Sequence, residues 1–304
     1  MLIPLDGSQL AEVVLPYAKE LSGRLDLEVI ILHVCTPEEQ APDAMHRAYV
    51  DQIAENVTSQ ATEIQQKTAL KKKTRRIKAK GEITIGYPAE EIIRYASKYE
   101  VDFILIATHG YSGIKQWKIS SVAEKVLRAS KVPVLLVPAE TPYKIVYDKW
   151  PRMMLLVPLD GSELAESVLP HVEALAKQRG IEPVEIALIA VCEKHSIPSN
   201  LIEASKLYGW EEYIDQRTSE LKKMYEQYLA GIEKRLTDSG LKVKSKVLMG
   251  KPAQRIIEFT RENPFSLVVI ATHGHMGYVH WDYGDVANKV LHEGASPVFI
   301  VRVY

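Results

Sequence analysis

The sequence predicts an α/β protein built from two copies of one domain, and three observations support this. PLDGSQLAEVVLP at Pro4–Pro16 returns as PLDGSELAESVLP at Pro158–Pro170, and the later motifs GYPAEEII and ATHG also recur. In both copies apolar runs alternate with helical patterns, which is typical of a mostly parallel sheet with helices on both faces. The 304 residues suffice for two ordinary domains. We therefore expect domains over residues 1–140 and 153–304.

The first half of each copy predicts two strands and a long helix. An apolar strand, LIPL or MLLVPL, runs into DGS, where Asp6 or Ser8 is suited to cap the next helix, as are their counterparts in the second copy. A second apolar strand follows, LEVIILHV or VEIALIAV. Long polar helical patterns then cover about 52–72 and 211–238.

The second half of each copy predicts three more strands. The first of them, IKAKGEITI or LKVKSKVLM, alternates in polarity, so we expect one of its faces to be solvated. A GxP turn then opens a helix, and an unbroken apolar strand leads into ATHG. The helix VAEKVLRAS or VANKVLHEG and a last strand, VPVLLV or SPVFIV, close the unit. Strands that are apolar on both sides indicate burial between helical layers.

Composition excludes several functional classes. The net charge of −1 gives no nucleic-acid or membrane footprint. No apolar stretch reaches the ~20 residues of a membrane helix, and MLIPLDGSQL lacks the features of a signal peptide, so we expect a cytoplasmic protein. The two cysteines, Cys35 and Cys192, each end an apolar run, which favours structural strand-end positions over a disulfide or a nucleophile.

Candidate binding chemistry lies after the strands. In parallel sheets, ligands bind beyond the carboxyl ends of strands where the strand order reverses. The stretch after ATHG leads to Ser120 and Ser121 at a predicted helix start, where free backbone N–H groups and the helix dipole suit a phosphate. Asp6 and Asp160 are suited to accept hydrogen bonds from a ribose hydroxyl or an adenine amino group. An ordinary tight turn without a ligand remains the alternative.

These motifs together resemble the universal stress protein family in its tandem two-domain form. The resemblance rests on PLDGS, GxPAxxI and ATHGxxG…SVAEKVLR…PVLLV, and it covers nearly all of both halves. It implies two Rossmann-like domains, each with a five-stranded sheet of strand order 3-2-1-4-5. It also implies a stress-response protein that binds ATP as a sensor or regulator, through the pattern G-x-x-G, nine residues, then G-[ST]; whether Mg²⁺ accompanies the nucleotide is left open.

The resemblance assigns nucleotide-binding positions in both copies. In the first copy these are Pro4, Leu5, Asp6, Val34, Ala107, His109, Gly110, Gly113, Ser120, Ser121 and Val122. In the second copy they are Pro158, Leu159, Asp160, Val191, Ala271, His273, Gly274, Gly277, Gly284, Asp285 and Val286.

Both copies depart from the family pattern. Ser120 stands where the pattern has glycine, so we expect crowding near the phosphate and a backbone less able to adopt the required angles. Asp285 stands where a hydroxyl is expected, and a carboxylate repels phosphate unless a cation lies between them. Tyr111 and His275 replace an arginine that relatives often carry, for which Lys115 is a candidate substitute. We therefore expect the ATP site to be better kept in the first copy than in the second, while whether both copies bind is left open.

Two other functions remain as alternatives. Asp6, His109 and Ser121 are candidates to converge in a slow ATPase or a self-phosphorylating enzyme, but no positioned general base is evident, so no catalytic residue is assigned. A nucleotide-free scaffold that binds a protein partner is the other alternative, because the glycine pattern is broken in both copies.

Two polar segments carry open interpretations. The loop with His273, His275, His280, Asp282 and Asp285 is either a metal site or a solvated polar loop, and no residue is assigned as a metal ligand. The run KKKTRR at 71–76 is interpreted as a solvated helix end rather than a nucleic-acid site.

Apolar segments predict internal contacts. The final strands of the two copies are expected to pair with each other inside the chain, as a pseudo-dimer that hides two exposed edges, while a homodimer is left open. Aromatic and apolar residues of the second copy's long helical region are expected to pack against the domain body or the other copy. They are Leu207, Tyr208, Trp210, Tyr213, Tyr225 and Tyr228.

Overall fold

The computed structural model describes residues 1–37, 44–68, 76–110, 119–139, 153–177, 184–194, 210–272 and 284–303. The strands of the first copy are β1 (Leu2–Pro4), β2 (Val29–Cys35), β3 (Ala79–Ile85), β4 (Ile104–Ala107) and β5 (Val134–Val137). Its helices are α1 (Gln9–Glu12), α2 (Leu15–Leu25), α3 (Ala44–Thr68), α4 (Pro88–Lys98) and α5 (Ser121–Ala129).

The second copy repeats this order of elements. Its strands are β6 (Met154–Pro158), β7 (Glu185–Cys192), β8 (Lys242–Met249), β9 (Ser266–Ala271) and β10 (Val298–Val301). Its helices are α6 (Glu163–Glu166), α7 (Leu169–Ala176), α8 (Trp210–Asp238), α9 (Pro252–Glu262) and α10 (Asp285–Glu293). Helices α4 and α9 each begin at the proline of the GxP motif, a position that proline favours because it needs no N–H there.

The ten described strands form one sheet in the order β3-β2-β1-β4-β5-β10-β9-β6-β7-β8. Within each copy the neighbouring strands are parallel, and the order is 3-2-1-4-5, which confirms the predicted fold. Strand β1 lies between β2 and β4, with Ile3 opposite Ile31 and Leu2 opposite Ile104. The strand order therefore reverses beside β1, and the ends of β1 and β4 are the place where sheets of this kind bind ligands.

The two copies meet at an antiparallel pair of strands. Leu135 of β5 lies opposite Phe299 of β10, so the predicted pairing of final strands inside the chain is confirmed. Phe299 also contacts Phe103 of the first copy, edge to face, with ring centroids 5.6 Å apart. Both rings are buried, so the core continues across this seam.

Apolar side chains fill both faces of the sheet, as the unbroken apolar runs predict. Ile3 and Leu105 face one core, which α2 and α3 cover in the first copy. Leu2 and Ile104 face the opposite core, which α4 and α5 cover. Burial alternates along the outer strand β8, as expected for a strand with one solvated face, whereas β3 has only partly buried and exposed residues and does not alternate.

Two local predictions differ from the structure. Helix α3 begins at Ala44, well before the predicted start at about 52. The sequence did not indicate its first two turns because most of their residues are exposed and carry no apolar periodicity. Tyr225 and Tyr228 pack against the core as expected, but Tyr213 is 63% exposed. The predicted packing of Tyr213 was wrong because the buried residues of α8 lie toward the C-terminal end of that helix. Trp210 at the helix start is also exposed, at 37%, and 207 and 208 lie outside the described residues.

Two further sequence observations concern the exterior. No described helix combines the length and the apolar character needed to cross a membrane. Most of the basic run at 71–76 lies outside the described residues, and its last residue, Arg76, is exposed.

Candidate functional site

The DGS motif forms a tight turn at the end of β1. Asp6 Oδ1 accepts hydrogen bonds from the Ser8 backbone N–H at 3.0 Å and from the Ser8 hydroxyl at 2.7 Å. Gly7 between them has φ of +82°, a left-handed conformation that favours glycine. Ser8 Oγ in turn accepts from Ala11 N–H at 3.2 Å. Of the two candidate caps, Ser8 is therefore the N-cap of α1, and Asp6 holds Ser8 in place.

The second copy repeats this turn closely. Asp160 Oδ1 accepts from Ser162 N–H at 3.0 Å and from the Ser162 hydroxyl at 2.6 Å, and Gly161 has φ of +84°. Ser162 Oγ accepts from Ala165 N–H at 3.1 Å. The duplicated sequence thus specifies the same local geometry twice.

A buried threonine fixes the loop after β4. Thr108 N–H donates to Val137 O at 2.8 Å, and Thr108 Oγ1 accepts from Ala139 N–H at 2.9 Å. Ser120 N–H donates to Thr108 O at 2.6 Å. The threonine thereby ties the end of β4 to the end of β5 and to the start of α5. Sequence reasoning assigned no role to it, although its repetition in both ATHG motifs was a usable signal.

In the second copy, Thr272 makes the same three contacts. Its N–H donates to Val301 O at 2.9 Å, and its carbonyl accepts from Gly284 N–H at 2.7 Å. Its hydroxyl accepts from Val303 N–H at 3.3 Å. Both strand tips are therefore held in the same way.

The loops after β1 and β4 meet at the reversal of strand order. A Cβ added to Gly110 would collide with Asp6 Oδ2, so glycine is required for this close approach. His109 is buried, and its Nδ1 lies 3.1 Å from Thr108 Oγ1. The structure thus brings Asp6 beside Gly110, and the buried Ala107 and His109 precede this glycine at the end of β4.

Apolar residues line the side of the crevice near β2. Leu5 is buried, and its N–H donates to Leu32 O at 2.9 Å, which extends the pairing of β1 and β2 by one residue. Leu5 faces the core that contains Ile3, whereas Val34 and Val122 are partly buried and pack against the opposite core, which contains Leu2. Pro4 is partly buried beside them on β1. The equivalent positions in the second copy, Pro158, Leu159, Val191 and Val286, have the same burial.

The start of α5 corrects one expectation. Ser120 is the N-cap, with φ of −69° and ψ of 156°, and its hydroxyl accepts from Ala123 N–H at 3.3 Å. Gly284 at the equivalent position has φ of −61° and ψ of 151°. The expectation that serine strains the backbone here was wrong, because both residues adopt an extended conformation open to any residue. The amides of Ser121 and Val122 in the first turn have no intrahelical acceptor.

The start of α10 differs in charge. Gly284 provides no side-chain cap, and Asp285 is exposed in the first turn. A carboxylate at this end stabilises the helix by interacting with its dipole. The same carboxylate occupies the place where an anionic ligand would gain from that dipole, so the helix start already carries a negative charge.

Several predicted site residues lie outside the described residues. They are Gly113 in the first copy and His273, Gly274 and Gly277 in the second. The same holds for Tyr111, Lys115, His275, His280 and Asp282.

A tyrosine–carboxylate pair, which sequence reasoning missed, braces each DGS loop. Tyr49 of α3 donates to Glu12 Oε1 of α1 at 2.9 Å, and Tyr228 of α8 donates to Glu166 Oε1 of α6 at 3.0 Å. Burial, followed by the hydrogen bond to the carboxylate, raises the pKa of both tyrosines. Both hydroxyls therefore stay protonated and keep donating at neutral pH.

Known proteins resemble the chain over its whole length. A universal stress protein of Mycolicibacterium smegmatis is 25% identical over 305 residues, which cover 99% of this chain and 96% of that protein. A universal stress protein of Methanocaldococcus jannaschii is 29% identical over 151 residues, covering 49% of this chain and 93% of its own. The crystal structure of a universal stress protein from Archaeoglobus fulgidus covers 99% of this chain and 97% of its own, with a TM-score of 0.61 and 21% identity.

The family match extends through both copies. Residues 1–138 and 153–302 each match the model of the universal stress protein family. The two matches contain β1 to β5 and β6 to β10, in agreement with the resemblance drawn from PLDGS and ATHG. The chain therefore belongs to the universal stress protein family and is a tandem two-domain member of it.

Proposed function

We propose that this stress-response protein binds an adenine nucleotide, ATP foremost, in the crevice of the first copy and acts in the cytoplasm as a sensor or regulator. The observation that carries the proposal is the meeting of Asp6 with Gly110 at the reversal of strand order, next to the start of α5. A glycine that lets the backbone approach closely and a helix start with free amides are the features that bind phosphate.

Each part of the crevice suits one part of the nucleotide. The partly exposed Val34 suits an adenine ring, next to the buried Leu5, and the carboxylate of Asp6 suits a ribose hydroxyl or the adenine amino group. The amides of Ser121 and Val122, with the hydroxyl of Ser121, suit the phosphates. A Mg²⁺ ion bound with the phosphates would lower their charge in this arrangement.

The second copy is proposed to bind nucleotide weakly or not at all. Its DGS turn and threonine contacts match those of the first copy, so these two parts of the strand ends keep the same geometry. The difference is Asp285, which places a negative charge at the helix start. Repulsion between this carboxylate and a phosphate opposes binding unless a cation lies between them.

Titration calorimetry of the full chain with ATP, ADP and AMP tests this assignment. Asp6→Asn keeps an acceptor for Ser8 but removes the charge, and we expect about 10- to 100-fold weaker ATP binding from losing a charge-assisted hydrogen bond. Asp160→Asn is the matched control, with ATP binding unchanged. Equal loss in both variants would contradict the assignment to the first copy. Absence of ATP, ADP and AMP binding in the parent chain would favour the nucleotide-free scaffold.

Two further variants separate the remaining alternatives. Asp285→Ser restores a hydroxyl after Gly284, and we expect a second ATP to bind to that variant because the repulsive charge is gone. Ser121→Ala is assayed for ATP turnover beside the parent chain. Turnover by the parent that disappears in Ser121→Ala would support an enzyme instead of a sensor.

A further inference from the structure

The end of β2 and the beginning of α3 bring two imidazoles and a thiol together. One ligand atom from each of His33, Cys35 and His46 lies within 4.8 Å of the others. Cys35 Sγ is 3.9 Å from His46 Nδ1. The rings of His33 and His46 stack with centroids 4.7 Å apart. None of these three residues has a role in the nucleotide site proposed above.

The orientation of His33 leaves one of its two ring nitrogens without a hydrogen bond. His33 Nδ1 lies 2.9 Å from Leu5 O, and a carbonyl oxygen can only accept, so Nδ1 carries the proton. Nε2 of the neutral ring is then a lone-pair donor. His33 is 6% exposed, and its Nε2 is buried without a hydrogen-bond partner. An unsatisfied buried polar atom destabilises the fold, and a bound cation would offset this cost.

The hydrogen bond to Leu5 is the kind that metal-binding histidines make. A ligating histidine almost always donates its second ring N–H to a carbonyl or carboxylate, which fixes its tautomer and its direction. Two neutral imidazoles and one thiolate form a donor set that suits zinc and its spectroscopic substitute cobalt. On binding, the Cys35 thiol releases its proton to solvent and a sulfur–metal bond replaces the S–H bond.

The distances allow such a site with a small movement. Tetrahedral zinc with bonds of about 2.0–2.3 Å places its ligand atoms about 3.3–3.8 Å apart. The present separations, up to 4.8 Å, therefore need to close by about 1 Å. His33 and Cys35 are held by the pairing of β2 with β3. His46 lies partly exposed in the first turns of α3, so a rotation of His46 can supply this movement.

The second copy shows which replacement removes this cluster. Cys192 occupies the place of Cys35 at the end of β7, but Ala190 replaces His33. Tyr225 replaces His46, since it precedes Tyr228 as His46 precedes Tyr49 in the repeated tyrosine–carboxylate pair. The second copy thus keeps the thiol but has alanine and tyrosine at the positions of the two imidazoles.

We propose that His33, Cys35 and His46 form a transition-metal site, with Zn²⁺ as its ion and a fourth position open to water, in the first copy alone. The site does not depend on nucleotide binding. It would link β2 to α3 and, through His33, to the carbonyl of Leu5.

Cobalt titration of the chelator-treated full chain tests the proposal. We expect one Co²⁺ per chain, with a thiolate-to-cobalt charge-transfer band and the visible bands of tetrahedral cobalt, both removed by adding Zn²⁺. Cys35→Ser should lose the charge-transfer band, and Cys192→Ser should keep it. The double variant His33→Ala/His46→Tyr reproduces the arrangement of the second copy, so its fold is expected to persist by circular dichroism while Co²⁺ affinity falls at least about 100-fold.

Other outcomes would overturn the proposal. One is a Co²⁺ spectrum without the thiolate band, and another is a thiolate band that survives in Cys35→Ser. A third involves the histidine-rich loop: a combined His273→Ala, His275→Ala and His280→Ala variant should retain the Co²⁺ spectrum. If the spectrum is lost there and kept in the His33→Ala/His46→Tyr variant, the ion belongs to that loop. Calorimetry with ATP on the same variants keeps this result separate from the nucleotide proposal.

Discussion

The contact between Phe103 and Phe299 allows a test of how strongly the two copies stabilise each other. The rings belong to different copies, lie 5.6 Å apart between centroids, and meet at 65°. Phe103 is 5% exposed and Phe299 is 2% exposed. Edge-to-face pairs of this kind contribute about 0.5–1.5 kcal/mol beyond the burial of area. We therefore expect that much coupling between Phe103→Leu and Phe299→Leu.

Urea unfolding followed by circular dichroism gives this coupling from a double-mutant cycle. Leucine keeps most of the apolar volume, so each single variant should remain folded, with a loss of about 1–3 kcal/mol that includes the broken ring contact. The double variant should lose less than the sum of the two single variants. As a control, Phe103→Leu combined with Leu236→Val, which lies in α8, should be additive within about 0.5 kcal/mol. Additivity for the aromatic pair as well would refute the inference that the copies share a core at the seam.

Three further predictions concern local features. Gly7 has φ of +82° and open space around its Cα, so Gly7→Ala should lower the free energy of unfolding by about 1–2 kcal/mol. Gly231→Ala, on the exposed face of α8, should instead raise it by up to about 1 kcal/mol. Equal effects of the two variants in urea unfolding would contradict this. Burial lowers the pKa of His171 from its ordinary 6.5, so the unfolded chain binds a proton more readily and stability falls as the pH drops below about 6.5. His171→Leu should therefore lose less stability than the parent chain between about pH 8 and about pH 5. If the urea midpoint shifts equally with pH in both proteins, His171 is not the cause. Lys244 and Lys242 lower the pKa of Glu185 below its ordinary 4.5, so its contribution to stability is present above about pH 4.5 and is lost as the pH falls further. Glu185→Gln should cost at most about 1 kcal/mol at neutral pH and less at high salt, and a salt-independent loss would indicate packing instead.

Most of the fold was readable because duplication states each motif twice. A lone DGS or ATHG is a weak signal, but its return in the same order fixed the domain organisation, and the resemblance to a family supplied the strand order. The exposed first turns of α3 were not readable, since periodicity marks a helix only where one face is buried.

The approach of Asp6 to Gly110 in the candidate site could be predicted from the sequence, but the local contacts could not. That Asp6 and Gly110 share a crevice follows from parallel strands ending at one edge. That Ser120 adopts the angles of Gly284 depends on the loop that leads into each helix, which residue type alone does not determine. The cluster of His33, Cys35 and His46 was not predicted from the sequence. His46 is separated from β2 by a connecting segment and lies at the start of α3, where no apolar pattern indicates a helix.

The seam between β5 and β10 has a consequence for any half of this chain. Residues of both strands are fully apolar and buried, whereas the free margins of the sheet, β3 and β8, carry lysines such as Lys80 and Lys244 that discourage the addition of foreign strands. A fragment cut between the copies would expose its bare strand and bind another fragment or aggregate. Because the two copies are joined in one chain, each strand has its pairing partner at high local concentration, so the pairing of β5 with β10 does not depend on the concentration of the protein.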